Sequence, residues 1–342
     1  MSAIKGFLNE VKTAKILRLG FCHALLLMFG LAAAPAQAQS VRTWVSGAGS
    51  DASPDCSRAV PCATFQIAHG KTAAGGEINC LDSGSFSSVT ITKSITINCE
   101  GVIGAVVADN LTNVAIVVTA GSTDVVVLRG LDIFGNFSGI AGVSFAFGAA
   151  LHIENCWIHD FNLFVGFGTV PGWGITAGSS NSGELYVTNT TISHNGSATD
   201  GGGIKITAPP GTTQKVTINQ SNVQNNTTGI KADGASGAGG VINMTIRDTA
   251  SVGNTQNGIV GTTNASGAAI VMMVDRVAAS YNAAGYGIVA DGPNTFIRFG
   301  GSSIAGNAYG VGALNGATLR SFGTNQIEGN SIDGTPVIIS LK

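Results

Sequence analysis

Charge and aromatic rings are scarce in this sequence: Asp, Glu, Lys and Arg make up only 11% of its 342 residues, and aromatic residues only 6%. So sparse a set of ionisable groups is foreign to helical globular proteins. The 17 basic residues do not outnumber the 19 acidic ones, which argues against the cationic surface that nucleic acid or anionic lipid would need. Beyond residue 34 no segment is long and apolar enough to cross a bilayer, which takes about 20 consecutive residues. What the chain has instead is glycine, 49 residues of it, in a background of Asn, Thr and Val. That mixture fits many short strands joined by tight turns.

The amino terminus reads as an export signal. Lys5, Lys12, Lys15 and Arg18 form a positive leader, Gly20 to Ala34 is apolar, and Ala36-Gln37-Ala38 offers small residues for cleavage after Ala38. Its 15 apolar residues are too few to span a membrane, so the expectation is a secreted or periplasmic chain beginning at Gln39. Losing Lys5, Lys12, Lys15, Arg18 and Glu10 leaves 13 basic against 18 acidic side chains, a net charge of −5. Five cysteines remain: Cys56, Cys62, Cys80, Cys99 and Cys156. An exported chain keeps disulfides, so two bridges and one thiol are expected.

Self-similarity then organises everything downstream. The segment Leu185 to Asn195 has two apolar residues two apart, a polar turn residue, another apolar residue, and an Asn three later. The same template fits Val126 to Asn136, Val216 to Asn226, Met244 to Asn254, Met272 to Asn282, Ile297 to Asn307 and, more loosely, Arg320 to Asn330. From Asn195 the closing Asn recurs at intervals of 31, 28, 28, 25 and 23. Between these come Gly203-Ile204, Gly229-Ile230, Gly258-Ile259, Gly287-Ile288 and Gly310-Val311. Each repeat holds about three short strands, too small to bury an apolar face alone, so the repeats must stack into one solenoid. Period-2 alternation sends Leu185 and Val187 inward, and predicts one buried column of Val187, Ile218, Ile246, Val274 and Phe299. The closing Asn tolerates a left-handed bend, and its amides can ladder at the rung spacing.

Ala63 to Ala73, carrying Phe65, Ile67 and Ala68, suits a short amphipathic helix plugging the open end of the core. Ile78-Asn79-Cys80 and Ile97-Asn98-Cys99 read as one strand in successive rungs, so Cys80 is expected to bridge Cys99 and Cys56 to bridge Cys62. The predicted organisation is a signal peptide at 1–38, a cap segment at 39–77 and a solenoid at 78–342.

Arg42 to Gly47, the Cys56–Cys62 loop, and Gly75 to Ile78 leading into Val89 to Ile97 resemble the start of uncharacterised bacterial exported right-handed β-helix proteins. The later Asn and Gly-Ile rungs are similar to the wider pectate-lyase-like superfamily. The fold expected is therefore all-β, a right-handed parallel β-helix with an N-terminal capping helix.

That superfamily includes lyases, hydrolases and adhesins, and fold does not assign activity. Polygalacturonase-like hydrolysis implies Asn-Thr-Asp, Asp-Asp, Gly-His-Gly and Arg-Ile-Lys motifs, and none occurs here. Pectate-lyase-like elimination implies a Trp-Ile-Asp-His motif, whereas this chain has Trp157-Ile158-His159-Asp160, the same residue types in another order. Within it and just before it, His152, Glu154, His159 and Asp160 form the densest titratable stretch, with Glu154 expected outward above Arg129. Two ligand-binding regions are candidates: a sugar-contact patch at His152, Trp157 and Trp173, and an outward column of Ser144, Thr176, Lys205, Lys231, Val260 and Val289 whose stacked lysines suit an acidic glycan. No zinc spacing or calcium array is present, and no cofactor, metal or catalytic residue is assigned. The function expected is a non-catalytic solenoid binding a polysaccharide or cell-surface glycan, with a divergent polysaccharide lyase as the alternative. Neither nucleic acid nor a membrane span is expected of the mature chain, and the sequence carries no signal for its oligomeric state.

Overall fold

A computed structural model describes residues 39–108, 113–162, 164–165, 168–169, 171–197 and 200–340. The expected signal peptide lies outside the described residues. Among those residues, the strands stack in parallel into three sheets of twelve, ten and nine strands. The first sheet runs from Ser40–Val45 to Val337–Ile338, the second from Gly84–Ser85 to Gln326–Ile327, and the third from Val89–Ile91 to Tyr309–Leu314. Each turn visits the three in order, a parallel crossover that winds right-handed. The chain is a parallel β-helix.

The interior follows from alternation. Val187, Ile218, Ile246, Val274 and Phe299 face one another in successive turns and are fully buried. The first sheet reaches back to Ser40, because Arg42–Val45 pairs with Glu77–Cys80. An expected boundary at residue 78 thus falls inside the strand Thr72–Cys80.

Helix α1, Phe65–Lys71, plugs the core. Thr64 caps it by accepting from the Ile67 amide, and the Asp51 carboxylate accepts from the Ala63 and Thr64 amides. Phe65, Ala68 and His69 are buried, whereas Ile67 is 36% exposed. The inward face is therefore Phe65-Ala68-His69, with the histidine in the place expected of Ile67. His69 can be buried because it stays neutral: burial, and then the Lys93 charge, lower its pKa to about 4, and its Nε2 accepts from the Thr92 amide. Both expected disulfides, Cys56–Cys62 and Cys80–Cys99, are present.

The recurring Asn residues form a buried ladder. Each side-chain amide donates to the next carbonyl, from Asn195 through Asn226, Asn254, Asn282 and Asn307 to Asn330, at 2.8–3.4 Å. The left-handed bend falls one residue earlier than expected, at His194, Asn225, Gly253, Tyr281, Gly306 and Gly329. The reason is division of labour: the bending residue turns the chain outward, which leaves the next side chain aimed into the interior to bond its neighbour. Glycines of the third sheet make room for the ladder, since a Cβ on Gly287 would lie 2.9 Å from the Asn307 amide nitrogen. Asn136 stands outside the ladder, exposed and itself left-handed at φ 50°. Phe161 occupies the equivalent interior position in the following turn, and its amide donates to Asn195 Oδ1.

The last turn corrects the expected register. Ile297 faces Leu319 and not Arg320. One extra residue is accommodated in the following bend: six steps separate Ser321 from Ile327, against five from Phe299 to its partner-strand equivalent Ile304. A one-residue slip reverses every side chain, so Arg320 points outward, directly beside Arg298.

Candidate functional site

His152, Glu154 and His159 share one turn, formed by Ala150–Glu154 and Trp157–His159, with the exposed Trp157. On the first sheet, His152 stacks on Tyr186 of the next turn, ring centroids 4.6 Å apart and planes 11° from parallel. Beside it Glu154 accepts two hydrogen bonds from Arg129 of the preceding turn, at 2.9 and 2.7 Å. This is the expected cross-rung pair, half-exposed and hence worth only about 0–1 kcal/mol. Tyr186 donates to Glu184, which also pairs with Lys215; the lysine contact, then the tyrosine one, hold the Glu184 carboxyl below the ordinary range.

The chain then bends through Asn155, left-handed at φ 55°, and Asn155 lies in a run from Asn189 to Glu100, at 2.7 and 2.5 Å. Beyond the bend, alternation sends Trp157 and His159 outward on the second sheet. Their rings stack at 3.9 Å. Phe134, opposite His159 in the preceding turn, stacks on it at 5.0 Å, so the imidazole lies within an aromatic cluster. Its two nitrogens reach Asp132 Oδ1 at 2.9 Å and Asp160 Oδ2 at 2.6 Å. Burial disfavours the imidazolium, but the hydrogen bonds to Asp132 and Asp160 outweigh it, so His159 titrates above an ordinary histidine. Both nitrogens of His159 are thus engaged by carboxylates, and only 11% of its side chain is exposed.

Trp157 remains available: it is 46% exposed while its indole N–H donates to Ser193 Oγ at 3.2 Å. Phe137, 60% exposed, stands edge-on to Phe134. The result is an apolar platform rimmed by carboxylates and hydroxyls.

The remaining predicted residues lie on the third sheet. Trp173 is only 5% exposed, beneath the Lys205 ammonium at 5.8 Å, so it offers a ligand no free ring face and does not join Trp157. Lys205 and Lys231 do stack in register, as expected, yet Asp233 lies between them, 3.6 and 3.4 Å away. Asp233 ends the strand Thr228–Asp233 that carries Lys231. Burial raises its pKa, but Lys231, the Ala235 amide and Lys205 together outweigh that and hold it below the usual carboxylate range. Farther along this column Val260 and Val289 are buried rather than exposed.

Sequence reasoning singled out His152 and Trp157 but missed Asp132, Phe134 and Phe137. The signal was available: Asp132-Ile133-Phe134 repeats the pattern of Trp157-Ile158-His159 one turn earlier, so its outer residues must lie beside theirs.

No protein-family model and no curated protein matches the sequence. Among solved structures the chain is similar to a pectate lyase, with 13% identity and a TM-score of 0.58 over 87% of this chain and 77% of that one. It also resembles a lacto-N-biosidase from Eubacterium ramulus, at 10% identity and TM-score 0.47 over 87% of this chain and 67% of that one. A third likeness is tailspike protein 2 of Escherichia coli O157:H7 bacteriophage CAB120, at 12% identity and TM-score 0.45 over 75% and 40% of the two chains. At such identities the first likeness establishes the architecture alone: a pectate-lyase-like parallel β-helix.

Proposed function

We propose that this solenoid binds a polysaccharide or cell-surface glycan without cleaving it, through the platform centred on Trp157. The observation carrying this reading is the coexistence, on one turn, of an exposed indole face and a histidine whose nitrogens are both occupied. Sugar rings have an apolar C–H face and a hydroxyl edge. Trp157 supplies a large rigid surface for the first; Asp132, Asp160 and Ser193 supply partners for the second, and around the bend His152 and Tyr186 extend the surface. A proton-transfer catalyst needs a group within hydrogen-bond reach of substrate, and here the candidate is spent on its neighbours. The pectate lyase among the similar structures agrees with a sugar ligand. Two disulfides suit an exported chain, and among the described residues no helix is long and apolar enough to cross a membrane.

The test is affinity electrophoresis through gels containing individual polysaccharides, with the polymer sized before and after exposure. The expected result is retardation by at least one polymer, lost in Trp157→Ala, with polymer length unchanged. Shortened polymer, or retardation indifferent to Trp157, would overturn the reading.

A further inference from the structure

We propose that the first sheet carries an oxyanion-binding site at Arg298 and Arg320, and hence that the glycan bound is acidic, bearing carboxylate or sulfate groups. The proposal rests on the glycan-binding reading above and adds the ligand's charge. Arg298 and Arg320 are direct partners on neighbouring strands, one rung or about 4.8 Å apart. Like charges placed so are mutually destabilising, and elsewhere this fold answers stacked or crowded cations with carboxylates. Lys205 and Lys231 share Asp233, and Arg247 and Arg276 are paired with Asp248 and Asp275. Among the described residues no carboxylate pairs with Arg298 or Arg320. Both guanidinium groups lie on the outer face, Arg298 half-buried and Arg320 exposed. A guanidinium presents a fixed fork of donors that matches an oxyanion in two-point contact, so two of them one rung apart form a receptor whose counter-charge the protein does not itself provide.

The surroundings narrow the ligand. Met273 lies directly opposite Arg298, and Val271 faces Phe296 in the adjacent outward column. These three apolar side chains are each 36–37% exposed. A shallow concavity of about 380 Å³ runs from Tyr186 and Lys215 past Thr245 and Met273 to Arg298. A ligand fitting it has apolar ring faces along its length and an anionic group at its edge, as uronate and sulfated sugars do. Continuity supports an extended chain: His152, Tyr186, Thr217, Thr245, Met273, Arg298 and Arg320 are successive members of one column. It joins the aromatic end, beside the Trp157 platform, to the cationic end over four rungs from Tyr186 to Arg298, roughly 19 Å at the usual strand spacing.

The probes are polygalacturonate for carboxylate, dextran sulfate for sulfate, and unsubstituted dextran, each by affinity electrophoresis at low salt. The Arg298→Ala/Arg320→Ala protein, checked for an unchanged thermal midpoint, is expected to bind at least one polyanion tenfold or more weakly. The Arg298→Lys/Arg320→Lys protein should recover part of the affinity, and the difference should shrink at high salt as screening shortens the reach of exposed charges. Full retention of affinity for both polyanions by the double Ala protein would overturn the site, as would tighter binding to phosphatidylserine vesicles than to either glycan. The two readings fail separately. Binding to dextran that depends on Trp157, with no polyanion binding, sinks the oxyanion site alone. Polyanion binding that depends on the arginines but not on Trp157 sinks the aromatic platform alone.

Discussion

Replacing Asn254 with Ala should destabilise the solenoid far more than replacing Asn330, although both belong to the same ladder. Asn254 Oδ1 accepts from the Asn226 backbone amide at 3.1 Å and from its side-chain amide at 3.4 Å, while its own nitrogen donates to Asn282 at 2.9 Å. Truncation strands the buried Asn226 amide, at about 1–3 kcal/mol for an unsatisfied buried donor, and removes the two amide–amide bonds at about 1 kcal/mol each. Gly229 adjoins the vacated space without a side chain to fill it. The total is roughly 3–5 kcal/mol. Asn330 accepts equivalently from Asn307 but is only half-buried at the end of the stack, where water replaces the lost acceptor, so about 1 kcal/mol is expected. Urea melts of the two variants, followed by far-UV circular dichroism at matched slope, measure the difference. Equal midpoints, or the larger loss at Asn330, would refute the ladder's role as a buried network.

Ile246→Asp should prevent folding, because it inserts an unpaired charge into the middle of the buried column; normal expression with an unchanged thermal midpoint would contradict that placement. In the chain from Gln39, Cys156 should resist alkylation until denaturant is added and then account for a single labelled thiol without reductant, since it is buried, with its pKa pushed up to about 12 by burial; rapid labelling of the native protein would disprove its burial. His69 predicts a pH dependence of definite sign. Unfolded, it takes a proton near pH 6.5; folded, it resists to about pH 4. The unfolded state thus binds more protons in that window, and stability should fall by roughly 3 kcal/mol as pH drops from 6.5 to 4, at 1.36 kcal/mol per unit. His69→Gln should flatten this part of the stability–pH curve, and an unaltered slope would show that His69 is not the group responsible.

The core and ladder were legible because they repeat: a position that must be apolar or Asn in every turn leaves the same mark each time. Features set between turns left none. The extra residue between Ser321 and Ile327 lies in a bend, where length varies freely, yet it decides whether Arg320 faces the core or the solvent, and with it whether the Arg298–Arg320 pair is visible at all. Trp173 and Trp157 are both tryptophans near the ends of short strands, and nothing in their own segments says that one lies beneath Lys205 while the other stays open. Asp132 and Asp160 meet His159 from two different turns, a convergence that alignment of outward positions reveals only once the register is known. Ile67 and His69 show the opposite difficulty, since hydropathy favours burying the first, whereas the helix phase set by Phe65 and Ala68 buries the second.

The most direct test of the sugar platform is tryptophan fluorescence during titration with a polysaccharide that retards the protein, comparing the parent protein with Trp157→Phe. A ring laid against the exposed indole replaces water at the one solvent-open face, so the parent protein should show a saturable change in emission that is absent from Trp157→Phe. An identical saturable change in both proteins would place the contact elsewhere and contradict the account.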